Sequence, residues 1–256
     1  MKIAILGAGA FGTALGGVLA EKGYDIDYYD SKVEREKLSD VLDSARMMII
    51  AVPSQVLPHL LPYLPTTKPT IVATKGLLGS RMFLGFRDLM VLSGPGFADD
   101  IKNHKNTLLT TTDYRVMEMF GTSYLNFDYT DDVNGVLMCG ALKNVYALYA
   151  GVLGLKRDTE LWEKYVDEAA EEMRLILGLN DAKADTVDLA CGTSDLMLTC
   201  GLPSRNYEYG LMLRKDKKAE PTKTVEGLTA IKRIQRGEIR VPDAAIKLKE
   251  IVKICS

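Results

Sequence analysis

Gly7-Ala8-Gly9-Ala10-Phe11-Gly12 is the stretch that decides how the first half of this chain folds. Lys2–Leu6 before it is short and apolar and reads as a strand, and Phe11–Lys22 after it reads as a helix. Strand, glycine-rich turn and helix in that order form the G-x-G-x-x-G dinucleotide fingerprint. Gly7 permits the tight turn, Gly9 lets a pyrophosphate approach the backbone, and Gly12 lets helix and strand pack closely. The phosphates then rest on N–H groups at a helix N-terminus, which brings in Ala10 and Phe11. Asp25–Tyr29 reads as the next strand, and Asp30 ends it 18 residues past Gly12, where an acid bonds ribose hydroxyls. A carboxylate there repels a 2′-phosphate and favours NAD. Lys32 and Arg35 follow closely and soften that preference, so NADP stays open.

Working outward, Met47–Val52, Thr70–Ala73 and Leu89–Leu92 read as strands that are apolar on both faces, and Thr107–Thr111 and Leu125–Tyr129 add strands at an edge. Doubly apolar strands with helices between them predict a parallel sheet covered on both sides. Ligands bind such sheets beyond the carboxyl ends of their strands. Three turns stand at those ends. Val52-Pro53-Ser54 makes a fixed turn with Ser54 available to a cofactor. Thr74-Lys75-Gly76 places a lysine at a strand end. Ser93-Gly94-Pro95-Gly96-Phe97-Ala98 is a tight loop suited to lie against a nicotinamide ring. The character changes near Tyr129, which predicts an α/β dinucleotide-binding domain over 1–130 and an all-α domain over 131–256.

In the second half, Asp131 and Asp132 can cap a long helix running to about Gly151. This helix carries Gly140-Ala141-Leu142-Lys143-Asn144-Val145. From Val136 to Gly154 the only side chain charged at neutral pH is that of Lys143, the other ionisable groups being the Cys139 thiol and the phenols of Tyr146 and Tyr149. Burying a lysine is costly unless it has partners or its pKa falls, and a lowered pKa suits a proton donor near neutrality. A second helix spans Thr159 to Leu177 and is stopped by Gly178. Later helices fall near 205–215, 222–235 and 242–254, with Pro242 in the first turn of the last. Asp195 lies among small and apolar residues, where it either pairs with a catalytic lysine or caps a helix. Ser204-Arg205-Asn206 stands before a helix whose first turn can hold a phosphate.

The bulk numbers narrow the function classes. The 256 residues are 47% hydrophobic and 26% charged, with a formal charge of −2, which leaves no electrostatic footprint for nucleic acid. The apolar runs look interrupted by glycine or charge short of a bilayer span, so no integral membrane segment is expected. Met1–Leu6 is too short for a signal peptide, which makes cytoplasm the expected compartment. The four cysteines show no CxxC pair, and the only two histidines, His59 and His104, lie far apart, so neither a zinc site nor a His-based triad is expected.

Taken together, these segments resemble the NAD(P)-dependent sn-glycerol-3-phosphate dehydrogenases. The markers are GAGAFGTAL at 7–15, AVPS at 51–54, TKG at 74–76, LSGPGFA at 92–98, GALKNVYALYAG at 140–151, SDLMLTC at 194–200, SRNYEYG at 204–210 and TVEG at 224–227. The resemblance implies a Rossmann-type domain followed by a helical domain, assembled as a homodimer. It makes Lys143 the general acid/base, with Asp195 and Thr199 in its hydrogen-bond shell. It makes Lys75, Asn144, Thr199, Arg205 and Asn206 substrate contacts. Gly7, Gly9, Ala10, Phe11, Gly12, Asp30, Pro53, Ser54, Lys75, Ala98, Arg205 and Glu226 would contact NAD, or NADP. The implied reaction is reversible reduction of dihydroxyacetone phosphate to sn-glycerol 3-phosphate, feeding phospholipid synthesis. The chain departs from the family pattern in a shortened stretch after Gly76, in Gly96 where a small hydroxyl residue is usual, and in Asp30 where bacterial members often carry a basic residue. A related reductase of another small phosphorylated ketone or hydroxy acid, and a non-catalytic nucleotide-binding homologue, are the alternatives.

Overall fold

The computed structural model describes residues 1–31 and 37–255, so Lys32 and Arg35 lie outside the described residues. The chain divides into two compact units, Met1–Thr74 with Ser80–Asp131, and Lys75–Gly79 with Asp132–Ser256.

The first unit alternates strands and helices. In order these are β1 (Lys2–Leu6), α1 (Ala10–Glu21), β2 (Asp25–Tyr29), α2 (Leu38–Ser44), β3 (Met47–Ile50), α3 (Leu57–Leu60), β4 (Thr70–Val72), β5 (Leu89–Ser93), α4 (Ala98–Lys102), β6 (Thr107–Thr111), α5 (Tyr114–Phe120) and β7 (Leu125–Tyr129). Among the described residues the strands form one seven-stranded sheet in the order β2-β1-β3-β4-β5-β6-β7. The first five run parallel, β6 is antiparallel to β5, and β7 is parallel to β6. As expected for strands covered on both faces, every residue of β3 and β4 is buried. Ile3, Ile5, Leu15, Leu19, Ile49, Ile71 and Leu92 belong to the core that α1 closes over the sheet. The strand order reverses between β1 and β3, and the glycine turn leaves β1 at that switch point, the place where open sheets of this type take ligands.

The second unit is built on α6 (Val133–Leu153), surrounded by α7 (Glu160–Leu179), α8 (Asp195–Thr199), α9 (Arg205–Lys215), α10 (Glu226–Gln235) and α11 (Ile246–Ile254). Asp132 caps α6, accepting the Gly135 N–H at 2.9 Å, and its second oxygen takes the Lys183 N–H and the Thr186 hydroxyl. Every residue of α6 from Gly135 to Gly151 is buried. By length and composition alone α6 could cross a membrane, which corrects the expectation that the apolar runs are too short for one. Within this unit 89% of its most apolar window is covered by protein, the burial of a core helix.

Three further expectations are corrected. Gly178 does not stop α7, which continues to Leu179, because a helix held by a buried stripe tolerates one glycine at a cost of about 1 kcal/mol. Pro242 is not in the first turn of α11, which begins at Ile246 behind Ala245. The helix expected over 222–235 begins only at Glu226.

Candidate active site

In the second unit, α6 presents Lys143 to α8. Lys143 and Asp195 are 3% and 1% exposed. The Lys143 ammonium donates to Asp195 Oδ1 in a short ion pair and to the Thr199 hydroxyl at 3.2 Å. Thr199 in turn donates to the Asp195 carbonyl one helical turn back, which aims its lone pair at the lysine. Asp195 follows directly from a single wide turn of π-helix over Ala190–Ser194, a distortion that recurs at functional sites. Its carboxylate does not cap α8 but faces two cations. Lys75 Nζ, one quarter exposed, lies 3.5 Å from Asp195 Oδ2. That same Oδ2 is buried and makes no hydrogen bond among the described residues, so it is held by the charge of Lys75 rather than by a hydrogen bond.

The electrostatics follow from this arrangement. Burial drives the Lys143 pKa down, Asp195 pulls it back up, and Lys75 pushes it down again, leaving it at about 8. Burial raises the Asp195 carboxyl, but Lys143 and Lys75 more than offset that and hold it below the usual carboxylate range. An ammonium has three donors, and among the described residues Asp195 and Thr199 engage two of those of Lys143.

Next to Lys143, Asn144 is 5% exposed and bonds its own helix through the Gly140 carbonyl at 2.9 Å. Its Oδ1 accepts Asn206 Nδ2 at 2.8 Å, and Asn206 Oδ1 accepts the Gly227 N–H at 2.9 Å. The two asparagines thus stitch α6, α9 and the start of α10 together. Only glycine fits at 227, because a Cβ there would stand 2.6 Å from the Asn144 carbonyl oxygen. Ser204 caps α9, accepting the Tyr207 N–H at 3.5 Å, and Arg205 is exposed in its first turn. Glu226, half-buried, opens α10. The second unit therefore gathers Lys75, Lys143, Asp195 and Thr199 into one cluster and Asn144, Asn206 and Gly227 into an adjoining one, while Arg205 makes no ion pair among the described residues.

In the first unit the glycine turn fits a dinucleotide. Gly7 has φ +110°, and a Cβ on it would lie 2.8 Å from the Ala51 carbonyl carbon, so the Val52-Pro53-Ser54 turn flanks the loop. A Cβ on Gly12 would lie 2.0 Å from the Gly7 carbonyl oxygen, whereas above Gly9 there is open space, the room a pyrophosphate needs. Ala10 and Phe11 open α1, which has no side-chain cap and no acid in its first turn. Asp30, at the end of β2, accepts the Ala8 N–H at 3.2 Å and so stands against the same loop. Ser54 is buried beyond β3, and Ala98 is the first residue of α4. Among the described residues no group of three or more His, Cys, Asp or Glu side chains could hold a metal ion.

Sequence reasoning missed one buried acid of the second unit. Glu172 on α7 is 6% exposed and accepts the Tyr146 hydroxyl at 3.0 Å and the N–H groups of Lys247 and Leu248 at 2.9 and 3.1 Å. The signal was available, since Glu172 falls at helical spacing among Ala169, Met173 and Ile176 on the apolar stripe.

Residues 132–254 match the family model described as NAD-dependent glycerol-3-phosphate dehydrogenase C-terminus. A glycerol-3-phosphate dehydrogenase (NAD(P)+) of Leptospira biflexa is 32% identical over 269 residues, covering 84% of this chain and 80% of the relative. One from Carboxydothermus hydrogenoformans is 30% identical over 302 residues, covering 94% and 89%. In fold, the chain is similar to the crystal structure of glycerol-3-phosphate dehydrogenase from Coxiella burnetii, with a TM-score of 0.79 at 24% identity over 98% of this chain and 94% of that one.

Proposed function

The chain belongs to the NAD(P)-dependent glycerol-3-phosphate dehydrogenases, and from that premise we propose that Lys143 moves the proton of the reaction. The protein is an oxidoreductase of that family, interconverting dihydroxyacetone phosphate and sn-glycerol 3-phosphate with NAD(P). The observation that carries the proton role is the buried Lys143–Asp195 pair with Thr199 on one side and Lys75 on the other.

When bound, the nicotinamide cofactor supplies or receives hydride at the substrate carbon. Lys143 Nζ donates a proton to the substrate oxygen as that oxygen gains charge, and takes the proton back in the oxidative direction. With a pKa of about 8 it holds either form near neutrality, which general acid–base work requires. Asp195 keeps the ammonium aimed and its charge balanced, while Thr199 fixes a second donor direction. Lys75 adds positive charge where the substrate oxygen becomes negative, the kind of preorganised stabilisation that dominates many active sites. Arg205 and the N-terminus of α9 take the substrate phosphate, and the Asn144–Asn206–Gly227 stitch holds α9 and α10 in place for it. In the first unit the glycine turn takes the cofactor pyrophosphate and Asp30 takes the ribose hydroxyls, which favours NAD over NADP. Pro53, Ser54 and Ala98 line the cofactor from neighbouring strand ends, and Lys75, Arg205 and Glu226 complete its contacts. The same reading makes the protein a cytoplasmic homodimer that supplies phospholipid synthesis.

Absorbance loss of NADH and of NADPH with dihydroxyacetone phosphate, and with unphosphorylated dihydroxyacetone, tests this directly. Fast turnover of the phosphorylated ketone with NADH and slow turnover in the other arms is expected. Equal rates on both ketones would remove the phosphate role of Arg205, and equal rates with both cofactors would remove the role of Asp30.

A further inference from the structure

Arg233 lies on α10, less than two turns beyond the Gly227 N–H that binds Asn206. Its side chain is 15% exposed, and its Nε donates to Glu238 Oε2 at 2.7 Å. This ion pair fixes one edge of the planar guanidinium and so directs the other. Nη1 on that other edge donates to the carbonyl of Gly76 at 3.4 Å. Gly76 follows Lys75, has φ +89°, and begins a buried segment that continues through Gly79. A buried carbonyl requires a donor, and here the donor carries full charge, which strengthens a long contact. One residue back, the Lys75 ammonium stands 3.5 Å from Asp195 Oδ2. A continuous series of contacts therefore runs from Glu238 through Arg233 and the Gly76 turn to Lys75 and the buried carboxylate. Helix α10 is tied to the site twice, at its start by Gly227 and near its end by Arg233.

We propose that Arg233, held by Glu238, is a positioning residue for Lys75. It fixes the Gly76 turn so that the Lys75 ammonium stays over Asp195 and faces the substrate oxygens. Arg233 itself touches neither substrate nor reacting atoms. The proposal rests on the reading of Lys75 as a substrate-contacting cation, and its first test does not depend on that reading.

That first test is acylation of the Lys75 amine by an amine-reactive ester, followed by mass spectrometry in the parent protein, Arg233→Ala and Glu238→Gln. Release of the turn is expected to speed Lys75 modification by roughly threefold or more, as a buried tether is lost. Unchanged rates in both variants would overturn the proposal. The second test is a double-mutant cycle on kcat/KM for dihydroxyacetone phosphate. Arg233→Ala is expected to cost about tenfold alone but less than about twofold in a Lys75→Ala background, because coupled residues are not additive. Arg233→Lys, which keeps one donor, is expected to recover part of the loss. An equal loss in both backgrounds would show a general structural role and overturn the proposal. Should Arg233→Ala not fold, Glu238→Gln takes its place in the cycle. A parent enzyme inert toward dihydroxyacetone phosphate would instead remove the proposed substrate, and the labelling would still decide the role of Arg233.

Discussion

At the scale of single residues, the proposed chemistry turns on how Lys143 is kept both buried and useful. An isolated ammonium in an apolar helix would lose its proton, and a fully paired one would never release it. Burial and Lys75 act in one direction and Asp195 in the other, and the balance lies at about 8. Lys143→Met removes the proton donor while preserving helix and volume. It is expected to lower kcat by about 10²- to 10⁴-fold with NADH affinity unchanged, read by steady-state kinetics and cofactor fluorescence titration. Near-normal turnover in that variant would assign the proton to another group. Asp195→Asn leaves Lys143 buried without its counter-charge. Its pKa should then fall further, so the alkaline loss of ketone reduction should move to lower pH as well as to a lower rate. A break left in place would show that Asp195 does not tune the lysine.

At the scale of elements, α6 serves as the post on which the second unit is hung. Asp132 caps it, Asn144 ties it to Asn206, and Tyr146 ties it to Glu172. Glu172 is the less obvious member. Its carboxylate takes two N–H groups of the first turn of α11, doing from a neighbouring helix what a capping side chain does from within. Glu172→Gln keeps the shape but loses the charge and one acceptor oxygen, and is expected to destabilise the protein by about 1–3 kcal/mol in denaturant unfolding. A change within about 0.5 kcal/mol, the range of ordinary surface substitutions, would contradict the capping role. The limits of sequence reading also lie at this scale. The stripe of α7 was legible, since Trp162, Tyr165, Ala169 and Met173 are buried on one face. The end of α7 was not, because the local preference of Gly178 to stop a helix is overridden by packing. Pro242 was misplaced for a similar reason: its ring is compatible with a helix start, but α11 starts where Glu172 can receive its N–H groups.

At the scale of the whole molecule, the sheet was legible from β1, β3 and β4 because strands buried on both faces must be apolar throughout. The Lys143–Asp195 pair was legible as two isolated charges in apolar surroundings, and the family resemblance added Thr199 to it, but nothing in the sequence showed that Lys75 faces the same carboxylate. Lys75 shows what a linear reading loses. It leaves β4 at Thr74, yet Lys75–Gly79 packs with the helical unit, so the cluster of Lys75, Lys143, Asp195 and Thr199 is assembled from three separate parts of the chain. Arg233 had no legible signal, because its partner is a backbone carbonyl 157 positions away.

The pH dependence of kcat/KM in both directions tests the central claim most directly, because it asks whether one group of pKa about 8 serves as acid in reduction and base in oxidation. Reduction needs the ammonium, so its kcat/KM should be level below about pH 8 and fall roughly tenfold per unit above it. Oxidation needs the free amine, so its kcat/KM should rise with pH and level off above the same point. Profiles that run flat through this region, or that break at the same pH after Lys143→Met, would contradict the assignment of the proton to Lys143.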